Sequence, residues 1–82
     1  MSGGGPIPDD ELKQIVANSL TVPVERVTWD ADLLADLEAD SLALAELSAV
    51  LEKRLGRRIP ADRLFDVLTV GDLRSLLQSV AN

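Results

Sequence analysis

The sequence predicts an all-α fold, a small four-helix bundle of three main helices plus one short helix with a long loop between the first two. Three observations predict it. Apolar residues recur at helical spacing in three separate stretches. Hydrophobic residues make up 46% of the chain but aromatic residues only 2%, so the core is aliphatic, with Trp29 and Phe65 as its only rings; such a core suits helices packed on helices. Helix start and stop residues bracket the stretches. A length of 82 residues leaves room for one domain.

Residues 1–8, with the run Ser-Gly-Gly-Gly-Pro-Ile-Pro, read as a flexible leader, and residues 9–82 as the domain. Asp9, Asp10 and Glu11 put negative charge where a helix start favours it, and Leu12, Ile15, Val16 and Leu20 follow at helical spacing, so the first helix covers roughly 9–19. Pro23 limits its continuation. Residues 20–40 show no sustained period and form the long connection, held down by Val22, Val24, Val27, Trp29, Leu33, Leu34 and Leu37. The second helix starts at Asp40, a strong N-cap residue, and runs to about Leu55, with Leu44, Leu47, Val50, Leu51 and Leu55 as its buried stripe. Gly56 is its stop, and Lys53 and Arg54 suit the negative end of its dipole. Ala61 to Phe65, after Pro60, reads as the short helix. Thr69 caps the last helix with Asp72 completing a capping box, Leu68 and Leu73 stand at staple spacing, and Val70, Leu73, Leu76, Leu77 and Val80 form the apolar face.

Composition removes several functions. The chain has neither cysteine nor histidine, so disulfides, thiolate metal sites, the usual general base and the commonest metal ligand are all missing, and no catalytic or metal-binding residue is assigned. The two lysines, Lys13 and Lys53, stand far from Ser41 in sequence, and Lys53 lies about 18 Å along the same helix, so no serine hydrolase arrangement is apparent. With 14 acids against 8 bases the net charge is −6, which disfavours nucleic acid as a partner and favours basic protein surfaces. No apolar run is long enough to span a bilayer, and the first residues lack the features of a signal peptide. The expectation is a free-standing, monomeric, cytoplasmic protein.

The informative segment is Asp36-Leu37-Glu38-Ala39-Asp40-Ser41-Leu42. It sets a serine hydroxyl at the first position of a helix, just after the cap, where unbonded amides and the positive end of the dipole favour an anion. A phosphodiester or a simple phosphate on Ser41 is equally served by that physics. Asp30, Asp32, Asp36, Glu38 and Asp40 crowd nearby with no base between Arg26 and Lys53, an acidic patch on which a basic modifying enzyme can dock.

These residues resemble a known family, the acyl carrier proteins and the related peptidyl carrier domains. Asp40-Ser41-Leu42 matches the family signature at the start of the second helix. Asp36-Leu37, Glu46-Leu47, Ile59-Pro60 and Thr69-Val70-Gly71-Asp72-Leu73 fall at the family's spacing, and the likeness runs over residues 9–80 without a gap. The resemblance implies a 4'-phosphopantetheine arm, taken from coenzyme A by a phosphopantetheinyl transferase and attached to Ser41, with Asp40 and Leu42 flanking the site. Its thiol would carry acyl or aminoacyl groups as thioesters between a loading enzyme and a ketosynthase or condensation enzyme, and the chain itself would not catalyse. Partner contacts are implied for Asp36, Leu42, Glu46, Ala49, Glu52 and Val67.

Two departures stand out. Many family members have glycine where Glu38 stands, so the loop is expected to be shaped differently here. Lys53, Arg54, Arg57, Arg58 and Arg63 occupy a region that is acid-rich in fatty-acid-type carriers, which points toward polyketide or nonribosomal peptide biosynthesis rather than fatty-acid synthesis. An apolar cargo is expected to fold back between the helices, where Ala45 and Ala49 leave room. Three other readings stay open: a fatty-acid synthesis carrier, a cofactor-free acidic helical interaction module, and a module regulated by phosphorylation at Ser41.

Overall fold

A computed structural model describes residues 7–81, apart from the side chains of Ala61 and Ala81. Its helices are α1 (Asp9–Leu20), α2 (Ser41–Leu55), α3 (Ala61–Phe65) and α4 (Val70–Ala81), with one turn of 3-10 helix at Val24–Arg26 in the long connection. The all-α expectation holds, and each expected helix is present to within a residue or so of its expected bounds. Most of the expected leader lies outside the described residues. Ile7, at its end, is half-buried against the core, so packing begins before the first helix rather than with it.

The core is aliphatic. Leu12 and Val16 of α1, Leu44, Leu47, Leu51 and Leu55 of α2, Leu64 of α3, and Val70, Leu73, Leu76 and Leu77 of α4 are buried together. Val50 departs from the expected stripe and is exposed, because it sits about 100° round the helix from the centre of the arc defined by Leu44, Leu47, Leu51 and Leu55. One of the two rings is also not where the composition suggested. Phe65 is exposed, since Leu64 beside it takes the inward position of the five-residue α3. Trp29 is half-buried, with Lys13 Nζ 4.6 Å and Arg74 Cζ 5.2 Å from its ring centroid, a cation–π clasp joining the loop to α1 and α4.

Helix ends follow their residue types. Asp40 caps α2 by accepting the Ala43 amide at 2.8 Å. Gly56 ends it in the left-handed region at φ 70, its N–H donating to the Glu52 carbonyl. Thr69 and Asp72 form the full capping box: the Asp72 amide donates to Thr69 Oγ1 at 3.1 Å and the Thr69 amide to Asp72 Oδ2 at 3.2 Å. Of the pair at staple spacing, Leu73 is buried and Leu68 is exposed. Arg54, near the end of α2, does more than face the dipole: it donates to both carboxylate oxygens of Glu11, at 2.6 and 3.0 Å, tying α2 to α1. That hydrogen bond lowers the Glu11 pKa below the ordinary carboxylate value and raises that of Arg54.

The long connection is ordered by its apolar residues and by its acids. Val27, Ala31, Leu33, Leu37 and Ala39 are buried, while Leu34, one of the expected anchors, is exposed because its neighbour Leu33 points inward. Asp32 Oδ1 accepts the amides of Leu34 and Ala35, and Asp36 Oδ2 accepts that of Asp32. The loop is then stitched to the start of α4. Leu33 N donates to Leu68 O at 2.9 Å, Val70 N to Ala31 O at 3.1 Å, and Gly71 N to Trp29 O at 2.8 Å. Among the described residues this contact, an isolated antiparallel bridge between Asp32 and Thr69, is all that resembles a sheet.

Candidate functional site

Ser41 is the first residue of α2, and it is exposed. Asp40 before it has extended backbone, φ −109 and ψ −177, with its carboxylate turned onto the Ala43 amide and its carbonyl accepting the Leu44 amide at 2.9 Å. The first turn of α2 contains no acid, so a group carried on Ser41 Oγ meets amides and the positive end of the helix dipole without a carboxylate inside the turn to oppose it.

The chain reaches Ser41 through a fixed path. Leu37 and Ala39 are buried on either side of Glu38, and the Ala39 amide donates to the Leu33 carbonyl at 2.8 Å. Glu38 takes left-handed backbone, φ 57. Position 38 therefore takes a conformation that suits glycine better than glutamate, at a cost in backbone strain.

The acidic patch is less free than its sequence suggests. Asp32, Asp36 and Asp40 hold backbone amides, and Asp30 accepts the Thr28 hydroxyl at 2.9 Å. A base also enters it in space: Arg26 Nη2 donates to the Asp36 carbonyl at 2.8 Å, ten residues away. The gap in bases along the sequence is thus partly closed by the fold.

The residues implied as partner contacts sort into two groups. Leu42, Glu46 and Ala49 are exposed and succeed one another at helical spacing on one side of α2. Asp36 is exposed, but its carboxylate is engaged by the Asp32 amide. Glu52 is half-buried, its Oε2 accepting the Ile59 amide at 2.8 Å, which secures the turn between α2 and α3. Val67 is half-buried and packs against the core. Ala45 and Ala49 do not open space inside the bundle as expected, because both are on the exposed side of α2, where Ala49 joins Ile15, Thr21 and Val50 along an open groove between α1 and α2.

Sequence reasoning missed three exposed apolar residues near this end of the molecule: Leu34, Phe65 and Leu68. A cue was present. Each has a neighbour of the same kind in a short turn or helix end (Leu33, Leu64, Val67), and two consecutive apolar residues there cannot both face inward.

The family model described as the phosphopantetheine attachment site matches residues 10–77. A stretch of 67 residues is 39% identical to an acyl carrier protein of Saccharopolyspora erythraea, covering 82% of this chain and 70% of that one. The chain belongs to the acyl carrier protein family. A phosphopantetheine prosthetic group comes with that membership. The residues of this acyl carrier protein fit such a group: an exposed hydroxyl, a helix start free of first-turn acids, and a cap whose carboxylate is turned onto the backbone. When bound, the group supplies the thiol that the chain lacks.

Proposed function

We propose that Ser41 is the attachment residue, and that this protein carries acyl or aminoacyl groups as thioesters between biosynthetic enzymes without catalysing a step itself. The observation that carries the reading is the exposed Ser41 hydroxyl at the first position of α2, directly behind the Asp40 cap. Ser41 Oγ takes the phosphopantetheinyl group from coenzyme A, the bond to the adenosine bisphosphate breaks, and the hydroxyl proton leaves to the phosphopantetheinyl transferase. Asp40 fixes the helix start, and Leu42, Glu46 and Ala49 present a continuous side of α2 to the transferase, the loading enzyme and the ketosynthase or condensation enzyme. Asp36, Glu52 and Val67 contribute mainly by holding the elements around that side.

The pathway reading is polyketide or nonribosomal peptide-type metabolism rather than fatty-acid synthesis. It is supported by the exposed bases Lys53, Arg57, Arg58 and Arg63, which interrupt the acidic character of α2 and of the turn and short helix after it. Coenzyme A, the donor, makes the cytoplasm the working compartment.

Intact-protein mass spectrometry after incubation with coenzyme A and a broad-specificity transferase tests the attachment. A single phosphopantetheinyl adduct is expected on the wild type and none on Ser41→Ala. An unmodified, folded wild type beside a modified control carrier would refute it and favour the cofactor-free interaction module. A bare phosphate on Ser41 in protein isolated from its host would favour the regulatory reading.

A further inference from the structure

Arg26 shares an open hollow with three acids, Glu25, Asp30 and Asp36. Among the described residues it forms no ion pair with any of them; Nη2 donates instead to the Asp36 main-chain carbonyl at 2.8 Å. No backbone amide among the described residues reaches that carbonyl. The carbonyl and the Leu37 amide belong to one planar peptide unit, and the amide is held too, donating to Asp32 O at 3.1 Å. Arg26 thus completes a two-sided clamp on the peptide unit that leads into Leu37 and Glu38. Its own base is fixed, because Val27 is buried and the Arg26 amide donates to Pro23 O at 3.0 Å.

The clamp works against strain. Glu38 sits in left-handed backbone, φ 57, which a glutamate readily leaves for the extended or right-handed regions. On the far side the Ala39 amide, bonded to Leu33 O at 2.8 Å, fixes the next peptide unit. The turn that delivers Asp40 and Ser41 is therefore held by bonds on both flanks. Strain of that kind and one charge-assisted hydrogen bond are of comparable size, so loss of the bond shifts the balance.

We propose that Arg26 is a positioning residue for the modification of Ser41, holding the loop in the conformation that presents the serine and acting through the Asp36 carbonyl. This rests on the reading of Ser41 as the attachment residue. Without the Arg26 bond, the serine-presenting conformation is only part of the population, so apparent affinity falls by that fraction. Turnover of the bound, correctly formed chain does not change. The charge of Arg26 predicts the opposite sign. A base in an acidic loop weakens attraction to a basic transferase, so removing it on charge grounds alone would lower KM.

The test takes two measurements on the full chain. One is hydrogen exchange of the Leu37 and Ala39 amides in the isolated protein; the other is KM and kcat for modification by the transferase with coenzyme A. Arg26→Met keeps an apolar stem and loses the donor. It is expected to speed both exchanges roughly 4-fold and to raise KM roughly 2- to 3-fold with kcat unchanged. Arg26→Lys retains an ammonium donor and should recover part of both effects. In a Glu38→Gly background the turn is unstrained, so Arg26→Met is expected to change neither exchange nor KM. A contact between Arg26 and the transferase would not be made dispensable by a glycine at position 38. Circular dichroism should show native helix content throughout, since Arg26 and Glu38 are both exposed. Unchanged exchange in Arg26→Met, an unchanged or lowered KM, or an equally large effect in the Glu38→Gly background would each overturn the inference while leaving Ser41 as the attachment residue. A wild type that gains no adduct would refute the attachment reading, and with it the role of Arg26 in modification, whatever exchange shows of the clamp.

Discussion

Glu38 and Thr21 are the two non-glycine residues with positive φ among those described, at 57 and 58. Glu38 bends the path into Ser41. Thr21 ends α1, where the Val22 amide donates to the Ala17 carbonyl at 3.0 Å. Left-handed backbone costs an ordinary residue ~1–2 kcal/mol, against the ~0.5–1 kcal/mol of extra chain entropy that glycine loses on folding. Glu38→Gly and Thr21→Gly are therefore expected to stabilise the protein by about 0.5–1 kcal/mol each, with Thr21 the larger because it is β-branched. Urea denaturation midpoints check this. At this scale the sequence was legible where residue type dictates the role: Asp40 as a cap, Ser41 as an exposed hydroxyl, Thr69 and Asp72 as a box. Backbone conformation at Glu38 was not, because nothing in a glutamate announces left-handed backbone. The family's glycine preference marked the position without giving the angle.

Elements were legible in proportion to how local their causes are. All four helices result from periodicity, caps and prolines, which act within a few residues. The long connection is different. Its stitches to α4 pair backbone atoms about 40 residues apart, and no local pattern records which carbonyl meets which amide. Gly71 is the clearest instance. A Cβ there would stand 3.0 Å from the Trp29 carbonyl oxygen, the atom that accepts the Gly71 amide. Alanine gains ~1 kcal/mol of helix propensity but must push back a backbone oxygen held in a hydrogen bond, which costs ~1–3 kcal/mol. Gly71→Ala is thus expected to destabilise the protein by about 1 kcal/mol. It should also shift the fluorescence of Trp29, the sole tryptophan, by loosening the loop against α4.

For the whole molecule, the sequence located the acids and bases but not which of them meet. Arg54 is the helix-end charge its position suggested, and it also bridges to Glu11, 43 residues away. Arg74 likewise pairs with Asp9, its Nε 2.9 Å from Oδ1, across the α1–α4 side. The pairing at Glu11 has a pH signature. Its carboxyl is more acidic in the folded protein than in the unfolded chain, so it contributes stability above its ordinary pKa that is lost as the pH falls through the lowered folded value. The stability gap between wild type and Glu11→Gln should be widest near neutrality and close in acid. High salt should narrow it too, since both side chains reach solvent. Thermal melts across that range measure both effects.

The stitching of the long connection to α4 also sets an order of events. A ribosome delivers Ser41 well before it delivers residues 68–71, yet the loop leading to that serine is held by Leu68, Val70 and Gly71. A partly made chain can show the serine without its setting. The mid-chain serine therefore gains its native setting only once the final helix has emerged and packed.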